Sequence, residues 1–334
     1  MPITQSIREE LEAREAAALS PHAARSRDSQ GRRTPEEPDP VRTCFQRDRD
    51  RIVHSKAFRR LMHKTQVFLT PLGDHYRTRL THSIEVMQLS RSIARGLNLN
   101  EDLAEAIALG HDLGHSPFGH AGEEALTQAW SAYETGARFI HSEQSLRVVT
   151  LLERRGDKIG LNLTEEVLDG IGKHSKHKGA LAGWHDLPFT LEGQIVRYCD
   201  RLAYINHDID DAIRAGVIAE SDLPRNAVET LGNRGSIRIE TVVQDMIAQC
   251  RGKSEIKLSD PVLEAVETIK DFMFRNVYLN DAAKSQEPKA KNIVKRLFDH
   301  YMAHPDELPL EFAQGLPPEN SLGRRVCDYI AGFT

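Results

Sequence analysis

The sequence predicts an all-α fold. Only 6% of its residues are aromatic, and Ala, Leu, Glu and Arg are abundant, a mixture that favours helices over sheets. From Val41 to about Ala215 apolar residues recur densely at helical spacing, and three stretches read as well-formed helices. The first runs from about Arg79 to Leu97, where Val86, Leu89, Ile93 and Leu97 form one apolar stripe that also carries His82. The second starts behind Asn100, a good N-cap, and carries Leu103 and Ile107 toward His111 and Asp112; it closes where Gly114 can take the left-handed conformation. The third spans about Leu191 to Arg214, with Ile195, Tyr198, Leu202, Ile205 and Ile209 as its apolar face. A separate stripe of Arg197, Asp200, Tyr204, Asp208 and Asp211 recurs at steps of three and four. Charged stripes on helices usually face water, so this one reads either as a solvated face or as a face that presents chemistry.

At 334 residues and 40% hydrophobic content, the chain is long enough to bury a sizeable core. Residues 1–40 read as an arm, flexible in part or in contact with another subunit, because the run TPEEPDP over 34–40 cannot hold a helix. Residues 41–215 form the expected core, and 216–334 read as further helices packed on it. A net charge of -5 and a pI near 6.3 argue against a surface coated with nucleic acid, although local arginine clusters remain available. Cys44, Cys199, Cys250 and Cys327 include no close pair, so neither a disulfide framework nor a zinc ribbon is indicated, and a reducing cytoplasm fits best. No apolar run approaches the roughly 20 residues that cross a bilayer.

A His-Asp dipeptide alone carries little information. Here it opens the run HDLGHSPFGHAGE over 111–123, with an inward His82 before it and an inward Asp200 after it. Two imidazoles and two carboxylates from His82, His111, Asp112 and Asp200 make a mixed nitrogen and oxygen cage. Such a cage suits manganese, iron, zinc, nickel or cobalt, whereas magnesium prefers oxygen throughout. Taken singly, His82 would more often be a core histidine and Asp200 a surface carboxylate; their joint order reverses that.

These residues stand among RDRDRIVHSKAFRRL at 47–61, HKTQVF at 63–68, RTRLTHS at 77–83, FIHSEQS at 139–145 and YCDRLAYINHDIDD at 198–211. In that order they resemble the HD superfamily and, within it, the deoxyguanosinetriphosphate triphosphohydrolase (dGTPase) and dGTPase-like family, over roughly half the chain. The resemblance implies an HD-type helical bundle with added C-terminal helices. It implies hydrolysis of a deoxynucleoside triphosphate to the deoxynucleoside and tripolyphosphate, with a divalent ion as cofactor (manganese, magnesium, iron, nickel, cobalt or zinc). It makes His82, His111, Asp112 and Asp200 the metal ligands and His120 with Glu123 the catalytic pair. Arg79 and His115 match phosphate-binding positions, with Arg201 a further candidate cation. Gln66 and Asp208 would hold the sugar 3′-hydroxyl, and Tyr204 would stack on the sugar and crowd its 2′ position. Gln66 and Tyr204 also read as ordinary packing and hydrogen-bonding residues.

Three further features stay open at this level. His141 reads as a second site histidine or as a residue near a helix N-cap at Ser142. His174, His177 and Lys178 in GKHSKHKG over 172–179 read as a phosphate-facing loop or as a solvated one. The arginines of 47–60 could meet a nucleotide, a neighbouring subunit or single-stranded nucleic acid, or could be surface charge on an amphipathic helix. The resemblance further implies a homo-oligomer, built from dimers up to a hexamer, and a nucleotide effector. Competing readings are an HD phosphohydrolase acting on a monophosphate, cyclic nucleotide or guanosine polyphosphate, and a metal-bearing nucleic-acid-binding regulator.

Overall fold

A computed structural model describes residues 6–66, 77–175, 186–278 and 286–334. Among these residues the chain forms fifteen α-helices and one small ribbon. In order they are α1 (Ile7–Ala18), α2 (Cys44–Val53), α3 (Lys56–Arg60), α4 (Arg79–Gly96), α5 (Glu101–Gly110), α6 (Gly119–Ser131) and α7 (His141–Arg147). The ribbon of β1 (Arg154–Arg155) and β2 (Lys158–Ile159) pairs antiparallel, Arg154 opposite Ile159. Then follow α8 (Glu165–Lys173), α9 (Leu191–Arg214), α10 (Arg225–Leu231), α11 (Gly235–Cys250), α12 (Asp260–Met273), α13 (Glu287–Ala303), α14 (Leu310–Ala313) and α15 (Leu322–Ala331). The fold is all-α, as the composition and periodicity predict.

The three expected helices form for the expected local reasons. Thr78 accepts from Thr81 N to start α4; Asn100 Oδ1 accepts from Leu103 N at 3.2 Å to start α5, where Glu101 and Asp102 in the first turn favour the positive end of the helix dipole. Thr190 Oγ1 accepts from Gly193 N at 3.1 Å to start α9. The 24 residues of α9 run about 36 Å at 1.5 Å per residue, long enough to carry both ends of a ligand-sized site. Arg197, Asp208 and Asp211 of its polar stripe are buried, so that stripe is not a solvated face.

The second helix differs at its end. It stops at Gly110, and Gly114 does not adopt a left-handed conformation. Gly114 is required for another reason: a Cβ there would run into Ser145 N and Gln144 C, backbone atoms of α7. Ser145 fixes this approach, because its hydroxyl donates to His111 O at 2.6 Å and accepts from Gly114 N at 2.9 Å. Gly114→Ala is expected to cost at least about 3 kcal/mol, since the obstacle is backbone and cannot rotate away. Thermal unfolding beside the native chain checks it, and an unchanged midpoint would contradict the close approach.

Two apolar clusters hold the fold. The first joins α4, α5 and α9 through Val86, Ile93, Leu103, Ile107, Ile195 and Ile209, and extends over α2, α8, α10, α11 and α12. The second is smaller and joins α6, α13 and α15 through Leu126, Trp130, Val294, Phe298, Val326 and Ile330. The segment 6–40 lies against the first cluster. Arg32 forms a buried ion pair with Asp48, its backbone bridges to Thr164, and Glu36 pairs with Arg51 and Arg155. The run 34–40 is free of helix, as its prolines dictate.

Glu192, at the start of α9, makes this packing pH-dependent. Its Oε1 accepts from Ala24 N at 3.0 Å and Asn100 N at 2.9 Å, while its Oε2 has no partner among the described residues. Burial raises its carboxyl from 4.5 to about 7, against the pull of those backbone donors. A carboxyl with a raised folded-state pKa contributes stability that is full below its unfolded value and is lost as pH rises through the folded one. The loss is about 1.4 kcal/mol for each pH unit between the two values. Glu192→Gln is therefore expected to gain on the native chain between pH 5 and pH 8 by a few kcal/mol. Denaturant melts at the two pH values measure this, and parallel curves would contradict it.

Candidate active site

His82, in the first turn of α4, and Asp200, in α9, meet across the first cluster: His82 Nε2 lies 3.0 Å from Asp200 Oδ1. His111 follows the last turn of α5 and is fully buried. Its Nδ1 faces Ala108 O at 2.6 Å. A carbonyl only accepts, so Nδ1 carries a proton and Nε2 is the nitrogen left to meet a ligand. Among the described residues that Nε2 has no hydrogen-bond partner, and it sits 3.4 Å from Asp112 Oδ1 and 3.6 Å from Asp200 Oδ1.

One ligand atom each from His82, His111 and Asp200 falls within 4.8 Å of the others. Asp112 joins them through His111, with its carboxylate shared: Oδ1 lies 3.2 Å from His115 Nε2 and Oδ2 accepts from Arg79 Nη1 at 3.0 Å. Burial opposes charge on His111, yet Asp112 and Asp200 outweigh it and hold the imidazole up at about 9. Two carboxylates within 3.6 Å of a buried imidazole nitrogen that has no hydrogen-bond partner among the described residues make a pocket that favours a cation. The donor set and this orphaned nitrogen fit a divalent transition-type ion.

Beside the cation pocket lies a row of histidines. His115 stacks on His141 with ring centroids 4.1 Å apart and planes 15° apart, and His120 stands 5.9 Å from His115 and 6.2 Å from His141. Glu123, one turn after His120 on α6, lies 3.6 Å from His120 Nδ1 and 3.1 Å from His141 Nδ1. Burial would raise its carboxyl, but the hydrogen bonds of His120 and His141 hold it well below the usual carboxylate range. Glu123 is therefore ionised at neutral pH. His120 is the open member, with 67% of its side chain exposed.

On the other flank, Tyr204 faces His120 with ring centroids 6.4 Å apart and Tyr278 at 6.0 Å. Tyr278 donates to Asp208 Oδ2, and burial pushes the Asp208 carboxyl up to about 8. The Gln66 amide is buried, and among the described residues neither its oxygen nor its nitrogen has a partner. Arg201 forms an ion pair with Glu267 of α12 at 4.0 Å.

Sequence reasoning singles out three further site residues only weakly or not at all. His141 is buried and holds Glu123, also donating its backbone N–H to Glu123 Oε1 at 3.1 Å. His174 is buried 5.0 Å from the His111 ring, pushed down to about 3 by burial and by His111 and His141. Its place is readable in hindsight, since Val167, Ile171 and His174 continue one buried face of α8. His177 and Lys178 lie outside the described residues. Tyr278 arrives on a π turn, Phe274–Tyr278, that prolongs α12. Of the arginines of 47–60, Arg47 and Arg51 pair with Glu36, and Arg49 pairs with Asp50, Asp102 and Glu105.

Residues 79–205, which hold His82, His111, Asp112 and Asp200, match the HD domain, and residues 256–334 match the phosphohydrolase-associated domain. The chain is 52% identical over 328 residues to a deoxyguanosinetriphosphate triphosphohydrolase-like protein of Caldanaerobacter subterraneus subsp. tengcongensis, covering 98% of this chain and 92% of that one. The chain belongs to this HD family. It is likewise 49% identical to the protein of the same description from Desulfatibacillum aliphaticivorans and 46% identical to that of Clostridium perfringens. Each alignment covers 98% of this chain, with 95% and 94% of the respective relatives. It is an HD phosphohydrolase, of a domain class that depends on metal. Among the described residues no helix is long and apolar enough to cross a membrane.

Proposed function

We propose that this phosphohydrolase cleaves deoxynucleoside triphosphates at the α-phosphorus, giving the deoxynucleoside and intact tripolyphosphate. The observation that carries the reading is one unbroken line of contacts. It runs from Asp200 and His111 through Asp112 and His115 to His120 with Glu123. That line supports a cation pocket beside a proton-transfer pair, the combination a phosphate ester needs and a binding protein does not. The likeness to deoxyguanosinetriphosphate triphosphohydrolase-like proteins supports the same substrate class.

His82, His111, Asp112 and Asp200 would hold the ion. When bound, a divalent ion supplies Lewis acidity toward an α-phosphate oxygen and acidifies water. Water adds to the α-phosphorus, the bond to the 5′-oxygen breaks, and His120 moves the proton that the departing oxygen gains. Glu123 orients the His120 ring through Nδ1, leaving Nε2 for the transfer, and His141 steadies Glu123 from the opposite side. Arg79, held by Asp112, and His115 meet the phosphate oxygens. Arg201 would have to leave Glu267 to add a further positive charge.

Asp208 and the Gln66 amide take the sugar 3′-hydroxyl. An Asp208 carboxyl raised to about 8 is largely protonated at neutral pH and can donate as well as accept. Tyr204, with Tyr278 behind it, crowds the 2′ position and disfavours ribose. Incubation with each dNTP in manganese or magnesium, with chromatography of both products, tests the proposal. Tripolyphosphate is expected; orthophosphate or pyrophosphate as the inorganic product would overturn it.

A further inference from the structure

The two halves of the candidate site ride on different apolar clusters. His82, His111 and Asp200 belong to helices or helix ends of the first cluster, built on α4, α5 and α9. His120 and Glu123 belong to α6, whose Ala125, Leu126, Ala129 and Trp130 pack in the second cluster with α13 and α15. The chain passes from one to the other through residues 111–119, where Phe118 and Gly119 both adopt left-handed conformations, φ 63° and 55°. A step of two such residues is a corner that packing must hold in place. The separation between cation pocket and proton-transfer pair is therefore set by whatever fixes the clusters against each other.

Lys64 stands at that junction. It is 3% exposed, an unusual place for a lysine. Its Nζ donates to His115 O at 2.5 Å and to Ala331 O at 2.9 Å. The first carbonyl lies in the segment between the site's two halves, and the second is at the last residue of α15 in the second cluster. The Lys64 carbonyl in turn accepts from Arg79 N at 3.1 Å, the first residue of α4, and Thr65 bridges to Thr78. One residue thus ties the start of the His82 helix, the His115 peptide and the end of the C-terminal helix.

Among the described residues no carboxylate forms an ion pair with Lys64, so its side chain is spent on two backbone carbonyls. An amine has two N–H groups and an ammonium three, so both carbonyls stay satisfied in either protonation state. Burial, with Arg79 and Arg60 nearby, lowers its pKa to about 7.

We propose that Lys64 is a positioning residue of this enzyme, locking the cluster that carries His120 and Glu123 in register with the cluster that carries the cation pocket. The inference rests on the reading of the site given above. Loss of the amine frees the His115 peptide and the end of α15 together, so the pair drifts from the phosphate while the cation pocket stays intact.

The test uses the full metal-loaded chain and Lys64→Met, which keeps the apolar stem and removes the donors. Expected are an unchanged metal content, a kcat at least 30-fold lower with KM within about threefold, and faster amide exchange over 113–123 than over α5 and α9. Lys64→Arg keeps donors, and a cavity of about 80 Å³ beside Lys64 gives the longer side chain room; its kcat is expected within tenfold of native. A residue that only fills space would instead lower the melting temperature and leave kcat and the exchange pattern alone, and that result overturns the proposal. Should Lys64→Met not fold, Lys64→Gln, which can reach one carbonyl but not both, carries the same expectations. If the native chain cleaves no dNTP, the reading of the site fails; the exchange comparison still decides the role of Lys64.

Discussion

His120→Ala is expected to lower kcat by about 10²–10⁴-fold, the usual worth of a positioned proton donor or acceptor, while the protein keeps its metal and its stability. The expectation follows from where the ring sits. Two-thirds of the side chain is exposed, so its removal leaves no cavity, Glu123 keeps His141 as a partner, and an exposed site changes stability by about 0.5 kcal/mol or less. Its helix is anchored in the second apolar cluster by Leu126 and Trp130, away from His82, His111 and Asp200. Metal content, unfolding midpoint and turnover measured on one preparation separate the three effects. A variant with native turnover would remove His120 from the chemistry.

Asp200→Ala is expected to weaken metal binding by at least about 100-fold, because outer-shell partners alone are worth 10–100-fold, and to abolish turnover with it. Asp200 Oδ1 faces both imidazoles, 3.0 Å from His82 Nε2 and 3.6 Å from His111 Nε2. Without it the pocket keeps two neutral ligands and the divided carboxylate of Asp112, half of which is already committed to Arg79. A chelator should reproduce the loss in the native chain, and one equivalent of ion should restore it in the native chain but not in the variant. Metal retention by Asp200→Ala at native affinity would contradict the assignment.

Much of the fold and the site is legible in the sequence, and the reasons for the remainder are specific. The spans of α4 and α9 follow from apolar stripes that are local in sequence, and the start of α5 from the cap Asn100. The convergence of His82, His111 and Asp200 follows from their standing on or beside faces that must turn inward. Periodicity says that a helix has an apolar face but not which helix it meets; nothing in α6 announces that Leu126 and Trp130 pack on Val294 and Phe298. Tyr278 reaches Asp208 from 70 residues away, in a region without a motif. Lys64 lies inside a family motif, yet a lone lysine reads as surface charge until its two carbonyl partners are placed. Gly114 reads as a helix terminator, whereas its necessity comes from the backbone of α7, about 30 residues later, which excludes a side chain there. The arm of residues 6–40 looks loose from its prolines, whereas Arg32 and Glu36 find Asp48, Arg51 and Arg155 only in three dimensions.

The most direct measurement is turnover of a dNTP in water enriched in oxygen-18, with the products resolved by phosphorus NMR and mass spectrometry. Attack at the phosphorus nearest the sugar places one heavy oxygen per turnover on an end phosphoryl group of tripolyphosphate and none on the deoxynucleoside. Label in orthophosphate, in pyrophosphate or on the sugar 5′-oxygen would contradict the account.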